Sequence, residues 1–264
     1  MKLAVEFPSV SHREGANMVA RMAQGIEEIG YDHIDIFDHV AMGYDMEGRG
    51  KSLYSPKMPI LEVVSALSFI AAVTERVTLG TEVLVLPQRQ PVLVAKQFST
   101  LDLLSNGRAR LGIGVGWQES EFEALGEDFT DRGVRTDEAI ELLRACWREE
   151  RIDFDGAHYK SVAMAMEPKS PQGEGLPIWV GGNTPPAFRR CGKYGDGWLA
   201  SRVTDAEFAK RSMDAIREAA VKAGRDPEGI GWQSMIAPPP RPGDEAGQWL
   251  GSVGRHGLGG DLAE

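Results

Sequence analysis

Strand-like and helix-like segments alternate along almost the whole chain, and this alternation constrains its fold more than any other feature. Residues 3–7 read as a strand. Residues 17–30 read as a helix, with Val19, Met22, Ile26 and Ile29 at helical spacing and Gly30 as its stop. Period-two or apolar runs predict further strands at 33–37, 77–86, 110–116, 178–180, 198–201 and 231–236. Helices are expected between them at 60–73, 91–104, 118–126, 136–149, 185–194 and 205–223. A small hairpin is expected over 152–159, around Asp155-Gly156, followed by an irregular connection over 161–177.

Neighbouring parallel strands need a crossover, which an intervening helix supplies. At 264 residues, with no internal repeat or linker, the default is one (β/α)8 barrel, a single α/β domain over 1–264. A doubly wound sheet is the runner-up. Seven strands are reached by residue 236. Pro238, Pro239 and Pro240 then break the pattern, a helix-like piece follows at 245–253, and the glycine-rich stretch 257–264 lacks a Val/Ile run. No regular eighth strand is therefore expected within 237–264. The barrel would be open at one edge or closed by a neighbouring chain.

The most informative strand is the one at 110–116. Leu111, Ile113 and Val115 alternate with Gly112, Gly114 and Gly116. Glycine weakens a strand, so three on one side mean that something approaches the backbone closely there. That something is either a planar ligand or another packed layer. Trp117 stands where a dinucleotide fingerprint would want its next spacing, so the Rossmann reading is rejected.

Charge and composition narrow the partners. A net charge of −10 argues against nucleic acid and anionic membrane, and an anionic ligand would be held by local donors. Cys146 and Cys191 lack CxxC or His/Cys spacing, so they read as core thiols of a reduced compartment, and no metal site is expected. The N-terminus runs into a strand pattern and no apolar run reaches membrane length, so a cytoplasmic protein is expected.

In a barrel of this kind, chemistry sits at the carboxyl ends of the strands. Asp38-His39 lies at such an end, and an imidazole there either exchanges a proton near neutral pH or merely caps a loop. Glu82 interrupts the apolar strand 77–86. It should sit on a distortion at the mouth or find a partner, and Gly80 suits a bulge. Gly181-Gly182-Asn183 before Thr184-Pro185-Pro186 is a strand-to-helix turn that either binds phosphate or simply needs glycine geometry. Glu119, Glu121 and Glu123 read as a solvated helix face. No Ser/His/Asp motif, Walker loop or HExxH helix is present.

Taken in order and spacing, several motifs resemble the bacterial luciferase-like flavin monooxygenase superfamily, and most of all its coenzyme F420-dependent branch. They are Gly30-Tyr-Asp32 with Asp38-His39, and Leu79-Gly-Thr-Glu-Val-Leu-Val-Leu-Pro-Gln-Arg-Gln-Pro91. Lys96, Thr100-Leu-Asp102, Leu104-Ser-Asn-Gly-Arg108, Gly112-Ile-Gly-Val-Gly-Trp117 and Glu121-Phe122 continue the match. Arg132-Gly133, Asp137-Glu138, Pro177-Ile-Trp-Val-Gly-Gly182 and Gly195-Asp-Gly-Trp198 complete it.

The resemblance implies a (β/α)8 barrel, usually a homodimer, with a flavin or deazaflavin at its mouth. It implies a non-proline cis peptide at Glu82–Val83 and a cofactor lined by Val115 and Gly116, where a side chain would occupy the ring's space. Gly181, Gly182 and Asn183 would take the cofactor's phosphate, Asp38 would contact the cofactor, and His39 would relay the proton. The sugar-phosphate dehydrogenases of the branch carry a catalytic glutamate where this chain has Trp117, which sets the chain apart from that activity. The implied function is hydride exchange between F420 and a small organic substrate. An FMN-dependent monooxygenase and a non-catalytic flavin-binding barrel stand as the alternatives.

Overall fold

The computed structural model describes residues 1–8, 14–49, 52–201, 203 and 205–235, which fall in two compact units. The first unit comprises Met1–Ala41 and Pro59–Ile178. The second comprises Met42–Met58 and the described residues from Trp179 onward. The stretch 237–264, with its expected lack of an eighth strand, lies outside the described residues.

In the first unit the expected alternation holds. β1 (Ala4–Glu6), α1 (Ala16–Ile29), β2 (His33–Ile36), α2 (Val63–Val73) and β3 (Thr78–Thr81) follow one another. After a break come β4 (Leu84–Val85), α3 (Pro91–Leu104) and β5 (Ala109–Gly114), then α4 (Glu119–Leu125) and α5 (Arg132–Arg148). The helix ends follow local chemistry. Gly30 closes α1 in the left-handed conformation, the Glu62 carboxylate caps the first N–H groups of α2, and Pro91 opens α3. β1, β2, β3 and β5 pair in parallel and in sequence order. A doubly wound sheet would instead reverse its order about the first strand, which excludes the runner-up here. Ile34, Leu79, Leu84 and Ile113 of the strands are fully buried, as are Leu67, Ile70, Phe98, Leu101 and Trp147 of the helices. Each such side chain contributes about 1.5–3 kcal/mol on burial.

The hairpin after α5 is larger than expected. β6 (Ile152–Asp155) pairs antiparallel with β7 (Lys160–Met164), which occupies the start of the stretch expected to be irregular. Three successive N–H groups, of Ala157, His158 and Tyr159, donate to the Glu138 carboxylate and fix the turn. That anchor comes from α5, so the local sequence did not reveal how far the hairpin extends.

In the second unit, β8 (Ile178–Gly181), β9 (Gly197–Ala200) and β10 (Gly231–Ser234) pair in parallel. They alternate with α6 (Pro185–Tyr194) and α7 (Ala206–Lys222). The Trp179 indole lies over Gly197 and Gly231, where a Cβ would fall 2.3 Å and 2.6 Å from its ring atoms.

The parallel register of the first unit aligns a row of polar positions: Glu6 opposite Asp35, Asp35 opposite Gly80, and Gly80 opposite Arg110. Arg110 donates to both Asp35 oxygens at 2.7 and 2.8 Å, and His33 Nε2 lies 2.8 Å from Oδ1. A Cβ at Gly80 would stand 2.7 Å from Asp35 and 2.9 Å from His33. Gly80 therefore keeps regular strand register and makes room for this cluster; the expected bulge lies farther on. Burial works against the Asp35 charge, but His33 and Arg110 outweigh it and hold the carboxyl well below its usual range. Glu6 shares the row without such a partner. Burial, reinforced by the Asp35 charge, pushes its carboxyl up to about 7.

This raised value sets a pH dependence. Glu6 releases its proton near 4.5 when unfolded but near 7 when folded, so its stabilising contribution is full below 4.5 and is lost as pH rises through 7. Glu6→Gln removes that loss. In urea unfolding at about pH 5 and about pH 8, the variant should gain stability relative to the parent at the higher pH. A constant difference between the two proteins would contradict the placement of Glu6.

Candidate active site

The expected distortion near Glu82 is visible in the strand register. Leu79 lies opposite Ala109 and Leu84 opposite Ile113, so five residue steps on the β3–β4 side face four on β5. One residue is inserted between Thr81 and Leu84. The Glu82–Val83 peptide is cis, as the resemblance implied. Around the break, the Thr81 hydroxyl donates to Gly112 O at 2.6 Å and accepts from Gly112 N at 3.0 Å. It takes the place of the interrupted backbone ladder. Glu82 N–H donates to Ile36 O at 2.9 Å, which ties the inserted segment to β2.

Glycine on β5 answers this insertion. A Cβ at Gly114 would lie 2.5 Å from Val83 Cγ2. At Gly116, with φ of +77°, a Cβ would meet Val85 Cγ1 and the Phe122 ring, each at 2.7 Å. A side chain at Gly116 thus meets protein, and the expectation that it would occupy a ligand's space is corrected. Between the two open readings of the glycine strand, close packing accounts for Gly114 and Gly116. Glu82, Val83, Val115, Gly116 and Trp117 are nonetheless half-buried, while the strand residues leading to them are buried.

Asp38 and His39 follow β2 and are both buried. Asp38 receives a two-pronged ion pair from Arg89, at 2.6 and 2.9 Å, and a bond from Val85 N at 3.2 Å. Its carboxylate therefore secures the segment after the inserted residue. His39 Nδ1 lies 2.9 Å from Glu121 Oε2, and its ring meets the Trp117 ring edge-on with centroids 5.4 Å apart. The other Glu121 oxygen accepts from Val40 N at 2.6 Å and Ala41 N at 3.1 Å. Gln118 Nε2 adds a bond to Ala41 O at 2.8 Å. Burial opposes the Glu121 charge, but the His39 bond and the backbone donors prevail and hold its carboxyl below the ordinary value.

Glu121 corrects an expectation: placed on a solvated face with Glu119 and Glu123, it is 2% exposed. A signal was present. Gln118, Glu121, Phe122 and Leu125 recur at i, i+3, i+4 and i+7, one face of a helix, and Phe122 marks that face as the buried one. Arg89 carried no comparable signal, because its partner lies 51 positions away.

In the second unit, Gly181-Gly182-Asn183 joins β8 to α6 as expected. Trp198 Nε1 donates to Gly182 O at 2.9 Å, and Gly182 has φ of +117°. Pro185 and Pro186 lack N–H groups, and Phe188 N already donates to Thr184 O. The helix start is thus poor in backbone donors, so an anion would depend on those of the turn itself.

Parallel strands in sequence order, crossed over by helices, define an α/β fold of the (β/α)8 class, incomplete over the described residues. The sequence model of the luciferase-like monooxygenase family matches residues 2–245, and the chain belongs to that family. It is 32% identical over 237 residues to an F420-dependent glucose-6-phosphate dehydrogenase of Nocardia farcinica, covering 86% of this chain and 66% of that protein. The chain thus spans just under two thirds of that relative's length. Among solved structures, the fold matches an F420-dependent secondary alcohol dehydrogenase in complex with an F420–acetone adduct, with TM-score 0.75 and 21% identity, over 89% of this chain and 69% of that one. It also matches the monooxygenase RslO1 of Streptomyces bottropensis, with TM-score 0.70 and 28% identity, over 88% of this chain and 70% of that one.

The Gly114–Val83 contact can be tested by a double-mutant cycle. Gly114→Ala should destabilise the chain by about 1–3 kcal/mol in urea unfolding, because the new methyl group overpacks against Val83. In a Val83→Ala background the same substitution should cost clearly less. Equal penalties in both backgrounds would show that Gly114 does not serve this contact.

Proposed function

We propose that the protein is a coenzyme F420-dependent oxidoreductase exchanging hydride between the deazaflavin and a small organic substrate. The observation that carries this reading is the His39–Glu121 pair beside the inserted Glu82–Val83 segment, with Val115, Gly116 and Trp117 half-buried at the adjoining strand end. Family membership and the F420-dependent relatives support it. The residues fit a planar cofactor through backbone at Glu82, Val83, Val115 and Gly116, since the Cβ direction at Gly116 is closed by protein. Gly181, Gly182 and Asn183 would hold its phosphate. Asp38 supports the site through Arg89 and Val85, and it would also make the cofactor contact that the resemblance implies for it.

When bound, F420 supplies a ring carbon that gives or takes hydride. His39 holds or releases the accompanying proton, a task contributing typically about 10²–10⁴-fold to rate. Glu121 and Gln118 fix the backbone on which the imidazole sits. Trp117 occupies the place at which the resemblance puts the sugar-phosphate dehydrogenases' glutamate, so glucose 6-phosphate is not the expected substrate. A single luciferase-like domain, acting in the cytoplasm as a homodimer, completes the proposal. No helix among the described residues is long and apolar enough to cross a membrane.

FMN-dependent oxygenation is the second reading, since RslO1 is a monooxygenase. Anaerobic titration with F420 and with FMN, followed by fluorescence, separates the two. Saturable binding of F420 alone is the expected result; binding of FMN alone would replace the proposal with the monooxygenase. His39→Ala should retain cofactor affinity and slow turnover by roughly 10²-fold or more. Unchanged turnover would reduce His39 to a loop cap.

A further inference from the structure

We infer that Glu121 is a positioning residue that sets the tautomer of His39, forcing the neutral ring to carry its proton on Nδ1 and its lone pair on Nε2. The argument is one of donors and acceptors. Glu121 Oε1 is committed to two backbone N–H groups, those of Val40 and Ala41, and backbone N–H can only donate. Oε2 of the same carboxylate faces Nδ1 at 2.9 Å. An ionised carboxylate has nothing to donate, so Nδ1 must be the donor. The proton-accepting lone pair of the neutral imidazole then lies on Nε2. The pair is buried, which makes an incorrect match of donors and acceptors costly.

Glutamine at 121 would have the same shape but not the same capacity. It offers one acceptor oxygen and one NH2 group. The two backbone N–H groups of Val40 and Ala41 require the oxygen, which turns the NH2 toward Nδ1. Nδ1 must then accept, and the proton moves to Nε2. Glu121→Gln should therefore invert the ring while keeping the fold. An orienting carboxylate of this kind can matter greatly when its loss leaves the wrong tautomer, with losses of up to about 10⁴-fold in rate. The consequence for turnover rests on the proton-exchange role proposed for His39; the tautomer does not.

Long-range 1H–15N correlation spectra of the full-length, cofactor-free protein, labelled with 15N-histidine, read both ring nitrogens. Of the five histidines, His39 is assigned by the signal missing in His39→Ala. With the ring neutral, the parent should show the Nδ1–H form and Glu121→Gln the Nε2–H form. Turnover of the variant should fall by about 10²-fold, with cofactor affinity from fluorescence titration unchanged. An Nε2–H ring in the parent overturns the inference even if the variant fails to fold, and so does a ring that stays the same in a folded variant. Inversion with undiminished turnover supports the positioning of His39 by Glu121 and overturns its proposed proton exchange instead.

Discussion

One inserted residue between β3 and β4 governs the candidate site. Because the ladder on β5 advances four residues while the opposite side advances five, the backbone between Thr81 and Leu84 cannot pair regularly. Each neighbouring feature answers that mismatch. Thr81 supplies a hydroxyl where a backbone group is missing, Gly114 lacks the Cβ that would collide with Val83, and Asp38 holds Val85 and Arg89 beyond the break. Polar satisfaction and close packing thus meet over a few residues at one strand end.

A second constraint comes from helix α4. Through its N-cap Gln118 and its Glu121, it holds the chain at Val40 and Ala41 from both its N–H and C=O sides. The imidazole of His39 is therefore set by a helix reached only after three further strands. This arrangement separates two tasks. Asp38 stabilises the inserted segment, while Glu121 governs the ring. Adjacent residues at the end of β2 thus serve different parts of the same strand-end structure.

The polar row of Glu6, Asp35, Gly80 and Arg110 belongs to the strands themselves. Its charge balance is uneven. Asp35 is strongly supported by His33 and Arg110, whereas Glu6 is left to the desolvation that raises its carboxyl. The glycine in this row is there for the volume of its neighbours' side chains and not for a bulge.

Much of this was already legible along the chain. Helical spacing with caps at Gly30 and Pro91, and apolar runs for strands, located the alternation, since periodicity and end chemistry are local properties. The motif order placed the irregular peptide at Glu82–Val83 and singled out Asp38 and His39. What local pattern could not supply was partnership across long separations. Glu121 looked solvated until folding set it against His39, 82 positions away, and Arg89 acquired its meaning from Asp38. Gly114 and Gly116 carried two readings until Val83, Val85 and Phe122 were seen to occupy the space beside them. A repeating pattern specifies which face of an element is buried. The identity of the group buried against it depends on how distant segments pack, and that depends on register and volume, which no short stretch of sequence contains.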